Sequence, residues 1–232
     1  MNWTEQISVV IPVGKKEASW KSLLESLRLN ENKFEVILSS VEPLKIPSRF
    51  EPLVAVKMVS GSEGRAVQLN RGASLASRKY LWFLHADSRF TQDTLVALKR
   101  NIEIGFEGIR YFDLGFFDGP LWMLVNELGT KVRSRILHLP FGDQGFCMLN
   151  HLFVRLGRFD ESAPFGEDHL LIWKAHEEGV SVKSMDAKIL TSGRKYQKRG
   201  WLKTTTQHLK LTYLQAKSEI LRIRAKKQEI AK

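Results

Sequence analysis

The chain has 232 residues, 43% of them apolar, with a formal net charge of +11 and one cysteine. That length suits one domain with a substantial core. The lone Cys147 excludes an internal disulfide framework and any CxxC metal site, and no apolar run approaches the roughly 20 residues that cross a bilayer.

The opening segment, Met1 to Gln6, is polar and carries Glu5 where a secretory leader needs basic and then apolar residues. With the single cysteine, this points to a reducing, cytoplasmic setting. Ile7 to Pro12 is a β-branched run closed by proline, the pattern of a buried first strand. Trp20, Leu23, Leu24 and Leu27 then recur at helical spacing, predicting a helix from about Ser19 to Leu29. Phe34 to Leu38 and Val54 to Val59 read as the second and third strands. After the turn Ser60 to Gly64 comes a helix whose face carries Val67, Leu69, Ala73 and Ala76. Tyr80 to His85 is a fourth strand, and Thr91 caps a helix that Gly105 stops. Strand and helix alternate throughout this half, which predicts a parallel sheet covered by helices.

The second half changes character. A helix is expected from Pro120 to about Ile136, with the proline in its first turn. A short strand follows at Gly145 to Leu149, then a helix from Glu167 to Glu178 stopped by Gly179, and an extended run from Val180 to Leu190. From Gly200 onward, Trp201, Leu202, Leu209, Leu214, Ile220, Leu221 and Ile223 lie among basic residues, as in one or two amphipathic helices. Much of the positive charge gathers in the last third of the chain, in Arg194, Lys195, Lys198, Arg199, Lys203, Lys210 and the tail residues Arg222, Arg224, Lys226, Lys227 and Lys232. Nucleic acid, an anionic membrane face or a phosphate-bearing substrate would each suit such charge.

Three short runs carry the chemistry, each where a strand hands over to a loop or helix. In open α/β sheets ligand-binding groups sit there. The carboxylate of Asp87, in His85-Ala86-Asp87, can project beyond a strand and hold Mg²⁺ or Mn²⁺ against a diphosphate. It can equally cap the turn before Thr91. Gly64-Arg65 at a helix start offers backbone N–H groups and a guanidinium to phosphate, or is an ordinary glycine turn with a surface arginine. Glu167-Asp168 after Gly166 places two acids at a helix start, where the dipole favours them whatever they do, and where one could act as a general base. Gly142-Asp143-Gln144-Gly145 is a polar turn between apolar runs.

In this order the runs resemble the family 2 glycosyltransferases, and within them a bacterial subgroup associated with radical-SAM or selenium-linked genes. The matching segments are Ser8 to Val13, Gly64 to Ala73, Phe83 to Ser88, Arg133-Ser134-Arg135 before Gly142-Asp143-Gln144, Glu167-Asp168, and Thr191 to Lys195. The resemblance implies a GT-A fold over residues 1–232: a nucleotide-binding half (1–105), an acceptor and catalytic half (106–200) and a basic helical tail (201–232). It further implies a nucleotide-sugar donor, a hydroxyl acceptor, a divalent metal and inversion at the anomeric carbon. Carried over by position, Pro12 and Val13 would line the base pocket. Gly64, Arg65, Asn70, His85 and Ala86 would lie along the donor, and Asp87 would meet metal and diphosphate. Gly142, Asp143, Gln144 and Glu167 would lie on the acceptor side, and Asp168 would be the base. Arg194 and Lys195 would close over the diphosphate.

Two departures stand out. Ser39-Ser40 replaces the acid with which the family ends its second strand, and Gly14-Lys15-Lys16 replaces the usual Asn-Glu after the first proline. A degenerate domain that binds ligand or partner without turnover is therefore the alternative. Nucleic-acid binding is disfavoured, since only Trp201 and Tyr213 offer stacking at the basic end. Contact with an anionic membrane is the better use of those charges.

Overall fold

The computed structural model describes residues 2–28, 33–47, 50 and 55–230, without the side chains of Arg224 and 226–230. Leu29, Val54, Lys232 and the side chains of Lys226 and Lys227, invoked above, lie outside the described residues. The strands are β1 (Ile7–Val13), β2 (Glu35–Ser40), β3 (Ala55–Ser60), β4 (Tyr80–Phe83), β5 (Arg89–Phe90), β6 (Ile109–Phe116), β7 (Cys147–Leu149) and β8 (Val182–Thr191). The helices are α1 (Trp20–Arg28), α2 (Arg65–Ser74), α3 (Gln92–Ile104), α4 (Met123–Arg135), α5 (Asn150–Arg155), α6 (Glu167–Glu177), α7 (Arg194–Arg199) and α8 (Trp201–Ile230).

All eight strands join one sheet in the order β3-β2-β1-β4-β7-β6-β8-β5. The pairs from β3 through β4 are parallel, as is β6 with β8, while β7 and β5 run against their neighbours. β1 and β2 are buried at nearly every position, and the middle of each, Val9 to Ile11 and Val36 to Leu38, is a continuous apolar run rather than an alternating one. β3 is the exposed edge and carries Lys57 outward, a charge that discourages pairing with another strand.

Lys57 also reaches back to Glu35 at the start of β2, with 2.6 Å between Nζ and Oε1. The same carboxylate accepts from the Ser8 hydroxyl at 2.5 Å, the Ser77 N–H at 2.8 Å and the Ser77 hydroxyl at 2.7 Å. Burial would raise this carboxyl, but Lys57 and the serine donors outweigh it and hold it down at about 2. Both oxygens are satisfied, and the group ties β1, β2, β3 and the entry to β4 together.

The first half follows the sequence expectations to within a residue or two at most boundaries. In the second half α4 begins at Met123 rather than Pro120, and the tail is one helix of 30 residues. β6, deep in the sheet, was not predicted. Its sequence Ile-Arg-Tyr-Phe-Asp-Leu-Gly-Phe is broken by Arg110, Asp113 and Gly115. Asp113 is nevertheless buried, because Arg135 of α4 grips it with two bonds of 3.0 and 2.9 Å.

Candidate functional site

The site forms beyond the carboxyl ends of β1 and β4. Gly64, with φ of +138°, turns the chain so that α2 starts with Arg65. That guanidinium crosses to the first turn of α6. Its Nε donates to Glu167 Oε1, its Nη2 lies 3.0 Å from Asp168 Oδ2, and its Nη1 lies 3.5 Å from His85 Nε2. The Gly142 N–H donates to Asp168 Oδ2 at 2.6 Å, and the His169 N–H donates to Oδ1 at 2.9 Å. A Cβ on residue 142 would stand 2.9 Å from Oδ2, so only glycine lets this backbone come so close. Between Arg65, His85, Gly142 and Asp168 only about 10 Å³ is left open.

Charge sets the protonation states. Burial would raise the Asp168 carboxyl, but the Arg65 guanidinium and the two N–H donors overcome it and hold Asp168 below the usual carboxylate range. Burial, reinforced by Arg65, pushes His85 down to about 3, so its imidazole is neutral and can accept from Arg65. Asp143 is different. Burial pushes its carboxyl up to about 6, Arg133 opposes the shift, and Asp168 and Asp87 add to it. Its Oδ1 is buried without a hydrogen-bond partner.

Asp87, close enough to act on the charge of Asp143, borders a more open cavity of about 240 Å³ lined also by Arg89, Asp118, Ser192 and Arg194. Arg194 Nη2 stands 2.7 Å from Glu17 and 3.8 Å from Asp87. Asp118 accepts from the Ser192 hydroxyl at 2.9 and 3.1 Å and from the Gly193 N–H, which fixes the loop ahead of Arg194. Burial raises the Asp87 carboxyl, Arg194 lowers it, and Glu17 and Asp118 raise it further. Such a carboxyl gains from a nearby cation. Among the described residues no three His, Cys, Asp or Glu side chains are grouped to hold a metal ion. The donors near Asp87 are oxygens, which suits Mg²⁺ or Mn²⁺ only if a ligand such as a diphosphate completes the shell.

The structure therefore brings Arg65, His85, Gly142, Asp143, Glu167 and Asp168 together; Asp87 is near enough to act on Asp143 and faces Arg194 in turn. Lys195 is next in the chain, near enough to Arg65 to feel its charge, and lies 3.1 Å from His208 Nε2. Ala86 is buried between His85 and Asp87, and Pro12 and Val13 end β1, where the Val13 carbonyl accepts from Gln68 at 2.9 Å.

Two expected site residues face elsewhere. Asn70 is 6% exposed, its amide donating to Phe159 O and Glu161 Oε1 at 2.8 Å each and accepting from the Phe159 N–H at 3.1 Å. It staples α2 to the loop before α6, with both amide hydrogens engaged there. Gln144 is fully buried, with Oε1 held by the Phe141 N–H at 3.1 Å and Arg133 at 3.3 Å, and its amide donating to Phe112 O at 2.8 Å. It anchors the 142–145 turn.

Sequence reasoning passed over Asp118 and Tyr196, whose hydroxyl is partly buried near Asp143, and named Arg133 only within a matching segment, without a role. Arg133 lies 3.5 Å above the Phe141 ring and acts electrostatically on both Asp143 and Asp168. Asp118 carries the same signal as Asp87, an acid just past a strand, but that strand is the unpredicted β6.

No family model matches the sequence, and no curated protein matches it. Solved structures do. S. aureus TarS 1–349 in complex with UDP-GlcNAc is 20% identical over 81% of this chain and 58% of that one, with a TM-score of 0.62. The same TarS fragment with UDP gives a TM-score of 0.61 at 20% identity, covering 81% and 60%. The mannosyltransferase PcManGT from Pyrobaculum calidifontis, in complex with GDP-Man and Mn²⁺, gives 0.59 at 16% identity, covering 81% and 56%. The chain thus spans less than two thirds of the length of these structures. At such identities the likeness concerns architecture: the fold is the GT-A type, a curled and mostly parallel sheet flanked by helices.

Proposed function

We propose that this chain is an inverting glycosyltransferase that moves a sugar from a nucleotide diphosphate sugar to a hydroxyl acceptor. The observation that carries the reading is the meeting of Arg65, His85, Asp143 and Asp168, with Asp87 and Arg194 alongside, at the carboxyl edge of a GT-A sheet. Membership of family 2 and of the bacterial subgroup rests on the series of motifs.

In this mechanism the Asp168 carboxylate, ionised at neutral pH, accepts the proton of the acceptor hydroxyl. The acceptor oxygen bonds to the anomeric carbon from the face opposite the diphosphate. The carbon–oxygen bond to the diphosphate breaks, and its electron pair leaves with the nucleoside diphosphate. Arg194 and Lys195 take up the charge that grows on the departing oxygens. A divalent cation at Asp87, when bound, would neutralise the diphosphate further. Arg65 acts as a latch, since it occupies the Asp168 oxygen the acceptor needs and has to swing aside before transfer.

Asp143 supports a second assignment of the base within the same reaction. Its unpartnered oxygen and a carboxyl raised to about 6 give it the stronger basicity of the pair. A degenerate, non-catalytic domain draws support from the end of β2. Ser39 and Ser40 leave no carboxylate there to grip a nucleotide, and the Ser40 hydroxyl is turned onto Glu42 O at 2.6 Å.

The neighbours' ligands supply the first probes. Calorimetry with UDP or GDP, each with Mn²⁺, followed by turnover with UDP-GlcNAc and GDP-Man, separates the possibilities. Metal-linked nucleotide binding and release of nucleoside diphosphate support the enzyme. Binding without release across donors and acceptors favours the degenerate domain, and no binding at all removes the donor site.

A further inference from the structure

α4 carries its apolar stripe outward. Leu121, just ahead of the helix, and Val125, Leu128, Val132 and Ile136 recur at spacings of four and three, which puts them on one face, and they are between 45% and 89% exposed. The inward face presents Met123 and Ser134 instead. An ordinary surface helix is the reverse, apolar side in.

α8 continues this surface. The Trp122 and Trp201 rings meet with centroids 5.9 Å apart, and Asn126 accepts from Trp201 Nε1 at 2.5 Å and donates to Thr205 at 3.2 Å. Along α8, Leu202, Leu209, Tyr213 and Ile220 form a second outward stripe, 40% to 66% exposed. Lys203, Lys210 and Lys217 repeat every seven residues on the adjoining strip and are exposed.

We propose that α4 and α8 together dock this protein onto an anionic lipid bilayer. Apolar side chains beside a row of lysines, with tryptophan and tyrosine among them, match a helix pair lying in the headgroup region. Among the described residues no helix is long and apolar enough to cross a membrane, so the contact is with its surface. A second copy is the poorer occupant. It would bring two chains of charge +11 together and set lysine rows of the same sign near one another.

The test is co-sedimentation of the full chain with vesicles of phosphatidylcholine alone or mixed with phosphatidylglycerol. Pelleting is expected with the mixed vesicles and to fade as salt rises. The combined K203Q, K210Q and K217Q changes are expected to weaken binding roughly a hundredfold, at about 1 kcal/mol per lysine. Leu128→Asp is expected to weaken it about tenfold or more while leaving the melting temperature unchanged, since the side chain is already exposed. No pelleting with phosphatidylglycerol overturns the proposal. So does equal pelleting of both variants and the parent chain, or a Leu128→Asp protein that changes from dimer to monomer while keeping its vesicle binding.

Discussion

Two acidic groups are buried at opposite ends of the sheet, and they are treated differently. At the amino end of β2, Glu35 has both oxygens filled by Lys57, Ser8 and Ser77. At the carboxyl end Asp168 accepts from the Gly142 and His169 N–H groups and has one side-chain partner, the long and flexible Arg65, while Asp143 keeps an oxygen with no partner at all. A buried carboxylate with every lone pair engaged stabilises one arrangement of strands. One with a free lone pair, or with a partner that can swing away, is ready for something not yet bound. In α/β sheets ligands approach at the carboxyl edge, which is where the incomplete pair lies.

The contrast breaks if the two ends respond alike to substitution. The largest effect is expected from Asp168→Asn, which should lower turnover by roughly a hundredfold to ten-thousandfold with nucleotide binding little changed. Single-turnover assays alongside calorimetry would check this. If Asp143→Asn instead carries that loss, the base belongs to Asp143.

At the other end, Glu35→Gln should cost about 2 to 3 kcal/mol of stability in denaturant melts, with activity per folded molecule intact. The pH dependence has a definite sign. Glu35 is depressed to about 2, so its contribution is complete above the ordinary glutamate range and is lost as pH falls toward 2. In the variant this acid-side loss should flatten.

A smaller effect, about tenfold weaker nucleoside diphosphate binding, is expected from Arg194→Ala, which removes a cation from the edge of the open cavity. The smallest is a shift in pH profile. Asp168 must be ionised to act, and Arg65 keeps it so to low pH, so Arg65→Met should move the acidic limb of kcat/KM upward. A limb near pH 6 in the parent enzyme would mark Asp143 instead.

The parallel half was legible because its inner strands β1, β2 and β4 are buried and carry continuous apolar runs, and because turn residues and amphipathic helices separate the strands. β6 was not, although it lies within the sheet. Asp113 is neutralised by Arg135, 22 residues later, and no local pattern reports such a partner. The acids of the site were visible as acids after strands, and the early glycine and arginine marked the start of α2. Asn70 and Gln144 do structural work that their motifs do not announce. A polar residue in a motif signals a constrained position, and here the constraint is the backbone of a neighbouring loop. The outward stripe of α4 has the same period as an inward one, so its direction was invisible until Met123 and Ser134 were seen inside.

Gln215 of α8 reaches the loop that opens α6. Its amide donates to the carbonyls of Phe165 and Gly166 at 3.3 and 3.0 Å, and its oxygen accepts from His169 Nδ1 at 2.7 Å, while Trp173 donates to the far ring nitrogen. Gly166, with φ of +67°, leaves space for this visit, since a methyl group there would collide with the glutamine. The long helix is thereby hitched to the residues directly ahead of Glu167 and Asp168. Clipping the chain at Gly200 would loosen the footing of the acid pair from behind, and a pull or tilt applied to α8 would be transmitted to it like the motion of a lever.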